Sequence, residues 1–125
     1  MKTIAVVGAS SDRHKFGNKC VRAYQRAGWQ VFPINLNPRQ GEVEGLPTLT
    51  SVRDVPVPLD RISVYLPPPV TLEVLPEFAA KGAGEVWMNP GAADRAVIAE
   101  ARRQGIPVVS GCSIVDVGFS PSQFP

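Results

Sequence analysis

The chain has 125 residues, 44% of them hydrophobic and 19% charged, with a formal net charge of +2. This balance describes a globular chain of ordinary domain size. It excludes a disordered segment, and it is too mild for a nucleic-acid binder, which needs a basic stripe interleaved with aromatics. No apolar run approaches the ~20 residues that span a bilayer, and the N-terminus runs directly into a strand pattern with no leader-like apolar core, so a cytoplasmic location without membrane contact is expected.

Thr3–Val7 reads as the first strand. It meets Gly8-Ala9-Ser10-Ser11, then a short polar loop with Arg13 and Lys15, and closes on Phe16-Gly17 before a helical pattern. That is the layout of a strand–loop–helix phosphate site. Gly8 permits a sharp turn without a Cβ in the way of a ligand, and the helix N-terminus offers free N–H groups and the positive end of its dipole. Arg13 and Lys15 add positive charge. The alternative for the same residues is a strand-ending glycine followed by two solvated loop charges.

Asn18–Ala27 reads as a helix with Cys20, Val21 and Tyr24 facing inward and Gly28 as its stop. Gln30–Ile34 is the second strand, ended by Asn35-Leu36-Asn37-Pro38, and Gly41–Thr48 is a loop or a short hairpin around Gly45. Thr50 or Ser51 caps a turn toward Asp54. Arg61–Tyr65 is the third strand, broken by Pro67-Pro68-Pro69. Thr71 is the candidate cap of a helix over Leu72–Lys81, in which Pro76 either falls in the first turn of a later start or kinks the helix. Glu85–Met88 is the fourth strand, Ala92–Gln104 a helix with Val97, Ile98 and Ala101 inward, and Ile106–Val109 the fifth strand. The tail Asp116–Pro125 either folds back or, through Phe119 and Phe124, makes a homodimer contact.

Strands alternating with helices predict an α/β fold: one domain over residues 1–125, with a mostly parallel five-stranded sheet covered by helices on both faces. In such sheets the ligand lies beyond the carboxyl ends of the strands. Here those ends are Gly8-Ala9-Ser10, Asn35-Leu36-Asn37, Leu66-Pro67-Pro68, Asn89-Pro90-Gly91 and Ser110-Gly111-Cys112. None carries an acid or a histidine, so the rim is suited to holding a ligand through backbone and amides, with little for proton transfer and no catalytic residue to assign.

A nicotinamide site is disfavoured, because Ser10 replaces the second fingerprint glycine and Asn35 stands where an acid would bind ribose hydroxyls. No Gly-Lys-Ser/Thr nucleotide loop follows a strand either. Cys20 and Cys112 have no metal-ligand spacing and His14 is the lone histidine, so no metal is expected. Cys20 reads as a core residue; Cys112 is a packed thiol or a ligand-side one. Phe16 and Tyr65 are candidates to cover a nucleotide base, and Tyr65 equally suits the core.

Taken in order, Val6-Val7-Gly8-Ala9-Ser10, Lys15-Phe16-Gly17, Gly28-Trp29-Gln30-Val31-Phe32-Pro33-Ile34-Asn35 and Val86-Trp87-Met88-Asn89-Pro90-Gly91 resemble the small stand-alone CoA-binding proteins. These are similar to the CoA-binding domain of the succinyl-CoA synthetase α subunit, and the resemblance spans nearly the whole chain, through Gly105-Ile106-Pro107-Val108-Val109 and Cys112. It implies a Rossmann-like domain that binds coenzyme A or an acyl-CoA. By position, Gly8, Ala9, Ser10 and Ser11 with Lys15, Phe16 and Gly17 would surround the phosphates. Asn35 would lie at the second strand end, Leu66 and Pro67 would flank the adenine, and Asn89, Pro90 and Gly91 would approach the pantetheine arm. The chain departs from the family pattern at Leu66, often arginine, at Asn89, often glutamine, and in lacking a basic-acidic-histidine ending after the late cysteine. The function expected is non-catalytic CoA binding as a carrier, sensor or regulatory module. The alternatives are a small acyl-CoA- or nucleotide-linked enzyme using Cys112 or His14, and an interaction module that has kept the fold without the ligand.

Overall fold

The computed structural model describes all 125 residues. Its elements in chain order are β1 (Thr3–Val7), α1 (Phe16–Arg26), β2 (Gln30–Ile34), β3 (Glu42–Val43), β4 (Leu46–Pro47), β5 (Leu59–Val64), α2 (Pro68–Lys81), β6 (Ala83–Met88), α3 (Arg95–Arg103), β7 (Val108–Ser110) and α4 (Ser113–Asp116), with single 3₁₀ turns at Pro38–Gln40, Val52–Asp54 and Pro121–Gln123. No helix is long and apolar enough to cross a membrane.

Five strands form one parallel sheet in the order β2-β1-β5-β6-β7, and β3 and β4 form a separate antiparallel pair. β1 is an inner strand, between β2 and β5, and is buried along its whole length. Side chains of a strand alternate between faces. Ile4 and Val6 therefore pack under α1 with Cys20, Val21 and Tyr24, whereas Ala5 and Val7 pack with Leu75 and Phe78 of α2 and Val97 and Ala101 of α3. This is the expected α/β Rossmann-like fold with helices on both faces. From β1 the chain moves outward to the edge strand β2, then crosses back to β5 on the other side of β1. The order reverses between β1 and β5, where an open sheet leaves a crevice.

Several boundaries differ from expectation, each for a visible reason. α1 starts at Phe16, before Asn18, and its N-cap Lys15 makes no side-chain cap bond; the start is fixed by packing of its buried first turn. α2 starts at Pro68, with prolines in the first turn, where a missing N–H costs nothing. Thr71 lies inside this helix instead of capping it, and its hydroxyl donates to the Ala92 carbonyl at 2.7 Å. Pro76 is interior to α2 on its exposed side, and the carbonyl it leaves without a partner belongs to Leu72, itself 43% exposed, where water can serve it.

β6 begins at Ala83, and Gly84 sits within it, because a Cβ there would come within 2.9 Å of the Asp60 carbonyl oxygen. α3 begins later than expected because Asp94 caps it, accepting from the Val97 N–H at 3.0 Å. β5 starts two residues early, and β7 spans only Val108–Ser110. The Gly41–Thr48 segment resolves as a hairpin turning at Glu44-Gly45, both in the left-handed region that a two-residue turn requires. Ser51 is the residue that caps the Val52–Asp54 turn.

The tail folds back on its own domain. Phe124 is 2% exposed, it meets Phe119 edge-to-face at 5.5 Å, and the Arg26 guanidinium stacks 4.6 Å from its ring.

Candidate functional site

Two glycines bring three backbone segments together at the β1/β5 reversal. Gly8 has φ +91°, and a Cβ on it would lie 2.3 Å from the Tyr65 carbonyl oxygen. A Cβ on Gly17 would lie 2.2 Å from the Gly8 carbonyl oxygen. The space these glycines leave is therefore filled by protein backbone: they let the first turn of α1 and the end of β5 close on the loop, which sets the shape of the crevice rather than leaving room for a ligand directly over Gly8.

Side-chain amides hold the loop open. The Gly8 and Ala9 N–H groups donate to the Ile34 carbonyl at 3.0 and 3.1 Å. Asn35 Nδ2 donates to the Ala9 carbonyl at 2.7 Å, and its Oδ1 accepts from the Asn37 N–H at 2.8 Å. Asn18, fully buried, donates to the Ser10 carbonyl at 2.8 Å. With the loop carbonyls engaged in this way, the N–H groups of Ser10, Phe16 and Gly17 donate to no protein group and remain as donors at the mouth.

The crevice is a cleft of about 530 Å³. Gly8, Ser10, Lys15, Phe16, Gly17, Asn35, Pro90 and Gly91, all expected from the sequence, line it. Asn37, Gln40 and Tyr65 complete the lining. Phe16, Tyr65 and Pro90 also wall a narrower pocket of about 100 Å³, closed by Asn89 and Cys112. The two spaces adjoin and share those three walls. Ala9 is buried behind the loop and contributes only backbone, while Ser11 is exposed at the loop tip. Arg13 points elsewhere: it lies 3.7 Å from Glu44 and lines a separate basin with Arg22 and Arg26. Leu66 packs against the α2/α3 core, and Pro67 is the exposed residue before α2; neither lines the cleft. His14 is exposed, 3.4 Å from Asp12, and also outside the cleft.

Behind the narrow pocket lies a buried polar cluster that joins Asn89 to residues the sequence analysis did not single out, Ser63 and Ser113. Asn89 Nδ2 donates to Ser63 Oγ at 2.8 Å and to the Val64 carbonyl at 3.0 Å, and its Oδ1 accepts from the Ser113 N–H at 2.9 Å. Ser63 and Ser113 share a hydroxyl hydrogen bond at 2.7 Å, with Cys20 Sγ within 3.7 Å of both. Tyr24 donates its hydroxyl to the Ser113 carbonyl at 2.9 Å. Burial pushes the Cys20 thiol and the Tyr65 phenol up, and takes Tyr24 up to about 12, so all three stay protonated at neutral pH. Lys15 is the one charged side chain of the cleft lining, which includes no carboxylate and no imidazole. No three His, Cys, Asp or Glu residues approach closely enough to hold a metal ion.

Over residues 2–118 the sequence matches the family model described as a CoA binding domain. The chain belongs to the CoA-binding domain family. It is 35% identical over 82 residues to the α subunit of an ADP-forming acetate–CoA ligase II of Pyrococcus furiosus, an alignment covering 63% of this chain and 17% of that subunit. The chain thus spans about a sixth of that relative's length. An uncharacterised protein of Bacillus subtilis is 26% identical over 108 residues, covering 86% of this chain and 78% of its own. Among solved structures, a conserved hypothetical protein of Pyrococcus furiosus superposes with a TM-score of 0.82 at 33% identity, covering 93% of this chain and 99% of that one.

The site suits the ligand class of a CoA-binding domain. Coenzyme A carries a diphosphate and a further phosphate, an adenine, and a long neutral arm ending in a thiol. Unpaired N–H donors and one cation at the mouth suit an anionic group. The space between Phe16, Tyr65 and Pro90 carries no charged group. Leu66, the position where the resemblance expects arginine, is turned into the α2/α3 core.

Proposed function

We propose that this CoA-binding domain holds coenzyme A or an acyl-CoA in the β1/β5 cleft and carries out no chemistry on it, serving as a carrier, sensor or regulatory module with a small nucleotide-like molecule as its partner. The observation that carries this reading is the adjacency of two unlike spaces. An amide-lined cleft with Lys15 adjoins a small uncharged pocket bounded by Phe16, Tyr65, Asn89, Pro90 and Cys112, sized for the thiol end of the arm. The anionic part and the end of the neutral arm thus have adjoining places. Catalysis has less support. Asn89 beside Cys112 has both ends of its amide engaged within the protein, and no base lines the pocket.

Calorimetric titration with coenzyme A, dephospho-CoA, NAD, FAD and ATP tests the reading. Coenzyme A should bind most tightly of the five, and at 100-fold excess over Kd it should stabilise the fold by roughly 2.7 kcal/mol. Equal or tighter binding of NAD or FAD, or no binding of coenzyme A, would reject the proposal. Replacing Cys112 by serine should leave the affinity for coenzyme A within about threefold, the size of one lost weak contact.

A further inference from the structure

We infer that the narrow end of the cleft makes this domain selective for free coenzyme A and for short, uncharged acyl thioesters, against both long-chain and carboxyl-bearing ones. The inference rests on the placement of the ligand just proposed and concerns a different part of it, the group carried on the thiol.

Three features of the pocket carry it. The first is size: the space bounded by Phe16, Tyr65, Asn89, Pro90 and Cys112 is about 100 Å³. A cavity of ~150 Å³ admits benzene, so this one takes roughly four heavy atoms, an acetyl or propionyl group. The second is a rigid back wall. Asn89, Ser63 and Ser113 are all buried and bonded to one another, with Cys20 filling the space behind them. Every fully enclosed side-chain polar atom of the chain has a partner. Giving way at this wall to admit an acyl chain would break several buried hydrogen bonds at once.

The third feature is the chemistry of the lining. The Asn89 amide is fully engaged, and the Tyr65 hydroxyl lies 3.5 Å from Ser113 Oγ. The cation Lys15 lines the wide mouth and not the pocket. A methyl group entering this space loses only water. A carboxylate entering it would be desolvated with no cation to receive it.

The test is a series of Kd values measured by calorimetry for coenzyme A and its acetyl, propionyl, octanoyl and succinyl thioesters. From acetyl to propionyl the added methylene is buried and should tighten binding by up to about fourfold. From propionyl to octanoyl the additional methylenes exceed the pocket, and affinity should fall. Succinyl-CoA should bind roughly tenfold or more weakly than propionyl-CoA. The half-exposed wall residue gives a second arm: Phe16→Ala opens the outer side of the pocket, and the octanoyl-to-propionyl affinity ratio should rise several-fold. Octanoyl-CoA or succinyl-CoA binding as well as propionyl-CoA would overturn the selectivity while leaving the cleft as a coenzyme A site. Failure of the whole series, coenzyme A included, would overturn the cleft reading itself and this inference with it.

Discussion

The two faces of the sheet are packed by different chemistry, and β5 and β6 show it residue by residue. Ile62 and Val64, with Val86 and Met88, point to α2 and α3 and join an entirely apolar cluster around Leu75 and Phe78. Their neighbours Arg61 and Ser63, with Glu85 and Trp87, point to the α1/α4 side. There the Arg61 guanidinium lies between the Trp29 and Trp87 rings at 5.2 and 5.0 Å, pairs with Glu85 at 3.0 Å and Asp116 at 2.7 Å, and donates to the Tyr24 hydroxyl at 2.9 Å. Tyr24 leads on to Ser113, Ser63 and Asn89, and so to the wall of the narrow pocket. An apolar core stabilises without fixing particular directions. A satisfied polar cluster fixes directions, because each donor and acceptor must stay where its partner is. The α2/α3 face therefore supplies stability, and the α1/α4 face holds the shape of the ligand site.

The most direct way to break this division is Leu75→Ala. Leu75 is fully buried in α2, within the apolar cluster of that face. The truncation should cost about 2–5 kcal/mol in urea unfolding. Coenzyme A affinity measured on the folded fraction should be unchanged, and a large loss of affinity would show that the two faces are coupled after all.

A smaller effect sharpens the polar side. Tyr24 is buried with its proton on the Ser113 carbonyl, and its pKa is raised to about 12 from an ordinary value near 10. The native state therefore holds this proton more tightly than the unfolded chain. The resulting stabilisation is complete below pH 10 and lost as pH rises through 12, amounting to about 2 kcal/mol. Cys20 and Tyr65 are raised in the same direction and steepen the alkaline loss. Urea midpoints of the wild type and of Tyr24→Phe should differ most at pH 8 and converge by pH 12. Midpoints that fall in parallel would mean that Tyr24 does not titrate late.

How far this division could be read from the sequence follows from the range of the interactions. β1 and β2 were legible to the residue, because each is a short apolar run closed by a loop residue with a clear local role, Gly8 or Asn35. The start of α2 was not: Pro67-Pro68-Pro69 ends a strand and opens a helix with the same residues, and only the second role needs the following turn to be seen. Asp94 is hidden as a cap because Ala92-Ala93 before it already suit a helix. Leu66 continues the alternation of Ile62 and Val64, so its inward direction was present in the period, although the resemblance had suggested a place beside the adenine. Ser63 and Ser113 carry no local signal. Their hydroxyls meet across fifty positions of chain, and only the register of β5 against α4 brings them together. The mouth of the site is local and was readable, whereas its inner wall is tertiary and was not.

The gentlest probe is Lys15→Glu, at the mouth where neither face is involved. Lys15 is exposed and occupies the N-cap of α1 without a side-chain cap bond. A cation there opposes the helix dipole, and a carboxylate would complement it. The substitution should therefore leave the melting temperature equal or slightly higher. An anionic ligand at the same N-terminus sees the reverse, an attractive charge replaced by a repulsive one. Coenzyme A affinity should fall roughly tenfold at low ionic strength and by less at 0.5 M salt, where exposed charges are screened. Opposite signs for fold and ligand are the useful part: a general loosening of the loop lowers both together, and only an electrostatic role at the mouth raises one while lowering the other. Unchanged affinity at both salt concentrations would place the phosphates away from Lys15 and leave the unpaired amides of Ser10, Phe16 and Gly17 to hold them without it.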